Sequence, residues 1–187
     1  IRKRVEHLTP NQRRVLSVAA AIGREFETAS LLATSEMESP AFGDALRVLV
    51  RNGLIVESGG KLNFSHARVQ EYLLDGLEEN ERRGLHLRVA RHLEGRPERP
   101  LEQLAFHYQR GGDAARALDC FEQAGERGME IHAYKMAAAH FESAAALCAQ
   151  GESARRFEAL MNWYACLWAT NHDLPQLQAI LEQARGE

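Results

Sequence analysis

The sequence predicts a mainly α-helical protein in two halves, the first interrupted by one β-hairpin. Two capping pairs, Thr9-Pro10 and Ser39-Pro40, each precede a run with helical apolar spacing. Between β-rich runs, Ser58-Gly59-Gly60 is a turn signal. In the second half the frame Ala117-x-x-x-Phe121-x-x-Ala124 returns as Ala137-x-x-x-Phe141-x-x-Ala144.

Each element follows from local chemistry. Thr9 is the expected N-cap of a helix whose apolar face is Val15, Leu16, Val18, Ala19 and Ile22, with Gly23 closing it. A short helix over Glu27–Thr34 carries Leu31 and Leu32. Ser39-Pro40 opens a third helix with Phe42, Leu46, Leu49 and Val50 inward and Gly53 as its stop. Leu54–Glu57, the Gly-Gly turn and Lys61–Phe64 then form the hairpin, and helices over Ala67–Leu77 and Glu79–Leu93 follow. Three helices and then a hairpin is the order of a winged helix.

Glu94-Gly95-Arg96-Pro97-Glu98-Arg99-Pro100 breaks the helical pattern, so the domains are expected at 1–94 and 95–187. Charge shifts at the same place. Residues 1–96 carry 15 Lys+Arg and 13 Asp+Glu, a net +2, whereas residues 97–187 carry 8 and 13, a net −5. Beyond the break every signal is helical. The Ala-Phe-Ala frame weakens to Leu177-x-x-x-Leu181-x-x-Ala184, and Leu101, Leu104, Ala105 and Tyr108 precede the first copy. Small residues let helices approach and the large one fills the gap, which is the grammar of tetratricopeptide repeats. The copies are spaced by 20 and 40 residues rather than evenly, so the expectation is an α-solenoid of degenerate tetratricopeptide-like repeats. The array ends at Gly186-Glu187 without a polar cap, and the chain starts without Met; both predict a piece of a longer protein.

Composition narrows the class. Of the 187 residues 45% are hydrophobic and 26% charged, which is ordinary for a folded water-soluble protein. No apolar run reaches the roughly 18 residues of a membrane span, and Ile1–His7 has no apolar stretch of a signal peptide behind its charges. Cys120, Cys148 and Cys166, odd in number and embedded in helical patterns, predict buried reduced thiols and a cytoplasmic setting.

Several segments, in succession, resemble a known family. They are Ala20–Phe26 with its Gly23-Arg24-Glu25-Phe26, Asn63–Glu71 with Phe64, His66 and Glu71, then Leu104–Tyr108, Gly112–Ala117 and Ala133-Tyr134. The succession resembles the region after the ATPase core of bacterial signal-transducing ATPases: the LuxR-type and MalT-like transcriptional regulators and their cyclase-fused relatives. The resemblance implies a non-catalytic regulatory segment whose winged helix docks on an ATPase module of the same chain. It implies ATP or ADP as cofactor in the parent and none in this segment. It also implies that His66 approaches the β-phosphate of ADP in a closed state, while the repeats take an effector or protein partner and opening permits self-association. Which repeat residues bind is left open.

The residues themselves set bounds on these roles. His66 follows a strand and starts a helix, where an anion is favoured; the plainer role is a cap or a domain corner. Phe26 is expected as a core plug with Arg24 and Glu25 in solvent, and Arg68 and Glu71 are spaced to pair along one helix. A DNA-reading third helix and wing would offer only Arg47, Arg51 and Lys61, beside Glu38 and Asp44, without the dense basic stripe that neutralises phosphates. Arg2-Lys3-Arg4 and Arg82-Arg83 read as solvated faces. A phosphate-binding loop is missing, since Gly59-Gly60-Lys61 is followed by Leu62, and His132 and His140 lack a matching ligand set. Trp163, Tyr164 and Trp168 are expected in the repeat core. Two rival functions remain: a DNA-binding winged helix with a helical dimerisation arm, and a repeat scaffold that binds a protein.

Overall fold

The computed structural model describes residues 5, 7–148, 152–170 and 174–186; the Arg2-Lys3-Arg4 cluster lies outside them. Among the described residues the chain is mainly helical, with ten helices and one three-stranded sheet. It divides into two compact units, Ile1–Gly95 and Arg96–Glu187.

The first unit is arranged around α1 (Pro10–Ile22). Thr9 and Gln12 form a capping box, each side chain bonded to the other's backbone N–H at 3.3 and 3.0 Å. Seven consecutive residues, Val15 to Ala21, are buried. A helix apolar on all sides is a central one, and α1 packs against α2 (Thr28–Ser35), α3 (Ser39–Arg51), α4 (Ala67–Asp75) and α5 (Glu79–Glu94). Two details of α3 differ from expectation. Its N-cap is Glu38, without a side-chain hydrogen bond, and Ser39 is already helical. Its buried face is Phe42, Ala45 and Leu49, while Leu46 is half-buried and Val50 is 42% exposed, because the stripe facing α1 is narrower than the apolar spacing alone implied.

Strands β2 (Ile55–Ser58) and β3 (Lys61–Phe64) form the antiparallel hairpin, with Ser58 opposite Lys61. Gly59 and Gly60 both adopt positive φ, 60° and 77°, as a two-residue hairpin turn of this hand requires. A third strand, β1 (Glu25–Phe26), was not foreseen: it adds to the other side of β3, giving the order β1-β3-β2. Phe26 is buried as expected, but as a strand residue whose ring meets Phe64 edge-on at 5.7 Å.

The second unit holds α6 (Leu101–Gly111), α7 (Ala114–Glu130), α8 (Tyr134–Leu147), α9 (Ser153–Thr170) and α10 (Leu174–Arg185). Each packs chiefly on the next in sequence. Turns of two and three residues fold α7 back on α6 and α8 back on α7. Asp113 caps α7 through Arg116 N–H at 3.1 Å. Ala117, Phe121 and Ala124 are buried, as are Ala137, Phe141 and Ala144. In α10 the buried residues are Leu177, Ile180 and Ala184, so Ile180 takes the place expected of Leu181. Arg155 of α9 reaches both Asp119 and Glu122 of α7 and joins the outer surfaces of these helices. Its guanidinium pKa is raised by hydrogen bonds to Glu122 and then Asp119, so the network stays ionised.

Two expectations for side chains in this unit are corrected. The core line of α9 is Ala159, Leu160, Cys166 and Leu167. Trp163 and Tyr164 are only half-buried, and Trp168, stacked on Tyr164 with 6.3 Å between centroids, is 49% exposed. Smaller residues already fill the seam against α8 and α10, which leaves the rings on its margin. Cys120 and Cys166 are buried reduced thiols, but Cys148 sits half-buried at the C-cap of α8.

No helix is long and apolar enough to cross a membrane among the described residues.

Candidate functional site

His66 stands where β3 hands over to α4. Its backbone is extended, φ −145° and ψ 133°, and it is the N-cap residue of α4. The imidazole makes no capping hydrogen bond and is exposed; the backbone carbonyl instead accepts from Val69 N–H at 2.9 Å. The first-turn N–H groups of a helix carry partial positive charge, and an imidazole outside the capping geometry remains available to an anion placed there.

The surroundings hold this junction firmly. Ser65 donates its N–H to the Leu54 carbonyl at 3.1 Å, which locks the end of β3 to the start of β2. The Ser65 hydroxyl is buried with no hydrogen-bond partner among the described residues. Val69 and Leu73 anchor α4 in the core, and Gln70 Nε2 donates to the Ala20 carbonyl of α1 at 3.0 Å. The segment Asn63–Glu71 is thereby fixed to the segment Ala20–Phe26, through Gln70 and through the pairing of β1 with β3. Arg68 and Glu71 are exposed and form no ion pair among the described residues.

The basic residues of α3 and the hairpin are mostly neutralised. Arg47 pairs with Asp44 at 2.7 Å, and Lys61 with Glu25 at 2.6 Å. The hydrogen bond to Glu25, and then its charge, hold the Lys61 ammonium above its ordinary pKa. Arg51 alone of the three has no ion pair among the described residues. Arg82 and Arg83 both pair with Glu79, so the two cations share one carboxylate on an exposed helix face.

The second unit contains a cleft of about 250 Å³ that the sequence did not single out. One wall is the turn and first residues of α6, Glu98 to Gln103; the other is the corner where α7 ends and α8 begins. Ile131 and Met136 line it and are 68% and 53% exposed. The only sequence signal was an isoleucine in the short helix-to-helix turn Ile131-His132-Ala133. Among the described residues no group of three or more His, Cys, Asp or Glu is disposed to hold a metal ion.

Comparison of the chain with protein-family models, with curated proteins and with solved structures gives no match.

Proposed function

We propose that this chain is a non-catalytic regulatory segment of a larger bacterial signal-transducing ATPase related to the LuxR-type and MalT-like regulators. In this reading the first unit is a winged helix, with α1, α2 and α3 as its three helices and β2-β3 as its wing. The added strand β1 between α1 and α2 supports that order of elements. The second unit is the start of a tetratricopeptide-like solenoid, supported by the neighbour-to-neighbour packing of α6 to α10 and by the paired Ala-Phe-Ala stripes.

The observation that carries the functional reading is His66. An exposed imidazole on a rigid strand-to-helix junction, not spent on capping its own helix, is suited to meet a phosphate brought by a docked nucleotide module. In the parent protein, in the cytoplasm, ADP and His66 hold the closed state, while effector binding at the repeats and ATP exchange open it and allow self-association. DNA reading by α3 and the wing finds little support, since Asp44 and Glu25 cancel two of the three cations available.

The test is His66→Ala in the full-length parent. A hydrogen bond to a charged group contributes about 1.5–3 kcal/mol, so its loss from the closed state alone multiplies the open population by roughly tenfold to a hundredfold. The variant should release ADP faster and show output or self-association without effector. An ADP off-rate and basal output both equal to wild type would make His66 a corner residue and end this reading. A merely destabilised fold would lower output, so the sign of the change separates the two outcomes.

A further inference from the structure

We propose that the cleft between the start of α6 and the α7–α8 corner binds a small amphiphilic carboxylate: an apolar body with one anionic head. This deepens the effector role given above to the second unit and rests on that reading for its regulatory meaning. The binding itself is argued from three independent features of the cleft.

The first is size and lining. A dry cavity of about 150 Å³ takes benzene, so the 250 Å³ here suits a ligand of roughly ten non-hydrogen atoms. Leu101, Ala124, Ile131, Ala133 and Met136 contribute apolar surface. Ile131 and Met136 stand more than half in water, whereas Ile55 and Ile180 are buried and Ile22 is half-buried. Such a patch in a concavity gains from an apolar guest.

The second is charge. Glu102 is engaged by His140 Nε2 at 3.2 Å, and Glu98 faces Arg96 at 3.6 Å. Arg99 and Arg127 also line the cleft, yet neither has an ion pair with a described residue. Both acids of the lining thus have a polar partner inside the chain, whereas the two guanidinium groups have no ion pair with a described residue, although residues 97–187 carry a net −5. A planar guanidinium is matched to carboxylate geometry, so the unfilled complement is a carboxylate.

The third is the backbone. Three non-glycine described residues have positive φ: Glu36, Arg99 and His132. Two of these belong to this cleft. Arg99, at φ 32°, lines it, and His132, at φ 60°, lies between the lining residues Ile131 and Ala133. Such conformations are uncommon outside glycine and occur at binding sites. His132 is the left-handed residue that ends α7, with Ala133 N–H donating to the Gly128 carbonyl at 2.8 Å and His132 N–H to the Met129 carbonyl at 3.0 Å, so backbone hydrogen bonds fix that corner of the cleft.

The test uses octanoate, which has the ten non-hydrogen atoms of the estimate, titrated onto the 187-residue chain and followed by NMR. Single-site saturation is expected with Kd on the order of 0.1–1 mM, the range for so small a ligand. Octan-1-ol should bind at least about tenfold more weakly, and octylammonium should not bind. Arg127→Gln and Arg99→Ala, both at exposed positions, should each weaken octanoate several-fold, and Arg127→Glu should abolish binding. Unchanged thermal melts of these variants show that the fold is intact. Equal affinity for the alcohol, indifference to both arginine variants, or no saturation would each overturn the proposal. None of these outcomes involves nucleotide or His66, so failure here leaves the switch reading standing, and failure of His66→Ala leaves the cleft standing.

Discussion

The ring of Phe141 in α8 lies so close over Gly125 in α7 that a Cβ at position 125 would sit 2.7 Å from the ring Cζ. Phe141 is 1% exposed, so the ring has little freedom to withdraw. This pair sets how near α7 and α8 can come, and with it the corner that shapes the ligand cleft.

Gly125→Ala should therefore destabilise the second unit. The gain in helix propensity, about 1 kcal/mol, is opposed by overpacking that costs about 1–3 kcal/mol. A net loss is expected in chemical denaturation, and combining the change with Phe141→Leu should recover part of it. An alanine at 125 that raises stability would show that the ring can move aside.

Truncating the large residue is a separate matter from crowding it. Phe141→Ala and Phe121→Ala should each cost about 3–5 kcal/mol, with Phe141 the greater because Phe121 lies nearer the surface. Urea unfolding measures both. A small loss at each position would mean that the Ala-Phe-Ala stripes are not the core of this unit.

Nucleotide chemistry is not expected of this chain by itself. Its sequence carries no Gly-x-x-x-x-Gly-Lys-Ser/Thr motif, and the Gly59-Gly60 turn is a two-residue hairpin closed by Ser58 and Lys61. Calorimetry should detect neither ATP turnover nor micromolar ADP binding. A micromolar Kd for ADP would move the nucleotide site into this segment.

DNA should bind weakly or not at all at physiological salt. Removing the internal anions supplies a sharper version: Asp44→Asn with Glu25→Gln releases Arg47 and Lys61 and should raise non-specific, salt-sensitive affinity. A nanomolar, sequence-dependent shift by the unaltered chain would instead favour the winged helix as a DNA reader.

The cysteines should react in a fixed order. Burial, reinforced by the charge of Glu152 and then Glu122, pushes the Cys148 thiol above its ordinary pKa, and burial does the same to Cys166. A raised pKa leaves less thiolate near pH 8, so alkylation there should be slower than for a model thiol and should keep rising at higher pH. Cys148, half-buried, should be modified first, and Cys148→Ser should remove that fastest phase. Equal rates for all three thiols in the native protein would show that the second unit opens readily.

Local chemistry made most of the helices legible. Thr9 caps α1 as its place before Pro10 demands, Gly59-Gly60 turns the hairpin, and the Ala-Phe-Ala stripes are buried where they repeat. These features depend on residues within a few positions of one another, which is why reading along the chain finds them. His66 was legible as a strand-to-helix junction for the same reason. That its imidazole is exposed and leaves its own helix uncapped was not, because β3, α4 and Gln70 with its partner Ala20 set that geometry together.

Tertiary structure decided what sequence spacing could not. Strand β1 exists because two residues, Glu25 and Phe26, find β3 some forty positions away, and no two-residue run announces itself as a strand. Val50 and Trp168 have the apolar character and spacing of core, yet stand at the surface because the neighbouring helices cover only a narrow stripe. The cleft is the furthest case. Arg99 precedes α6, Arg127 lies in the last turn of α7 and Met136 in the first turn of α8, and only the packing of these three helices brings them to one concavity. Periodicity records which face of an element is apolar; which neighbour meets that face, and what hollow remains between them, is settled by packing.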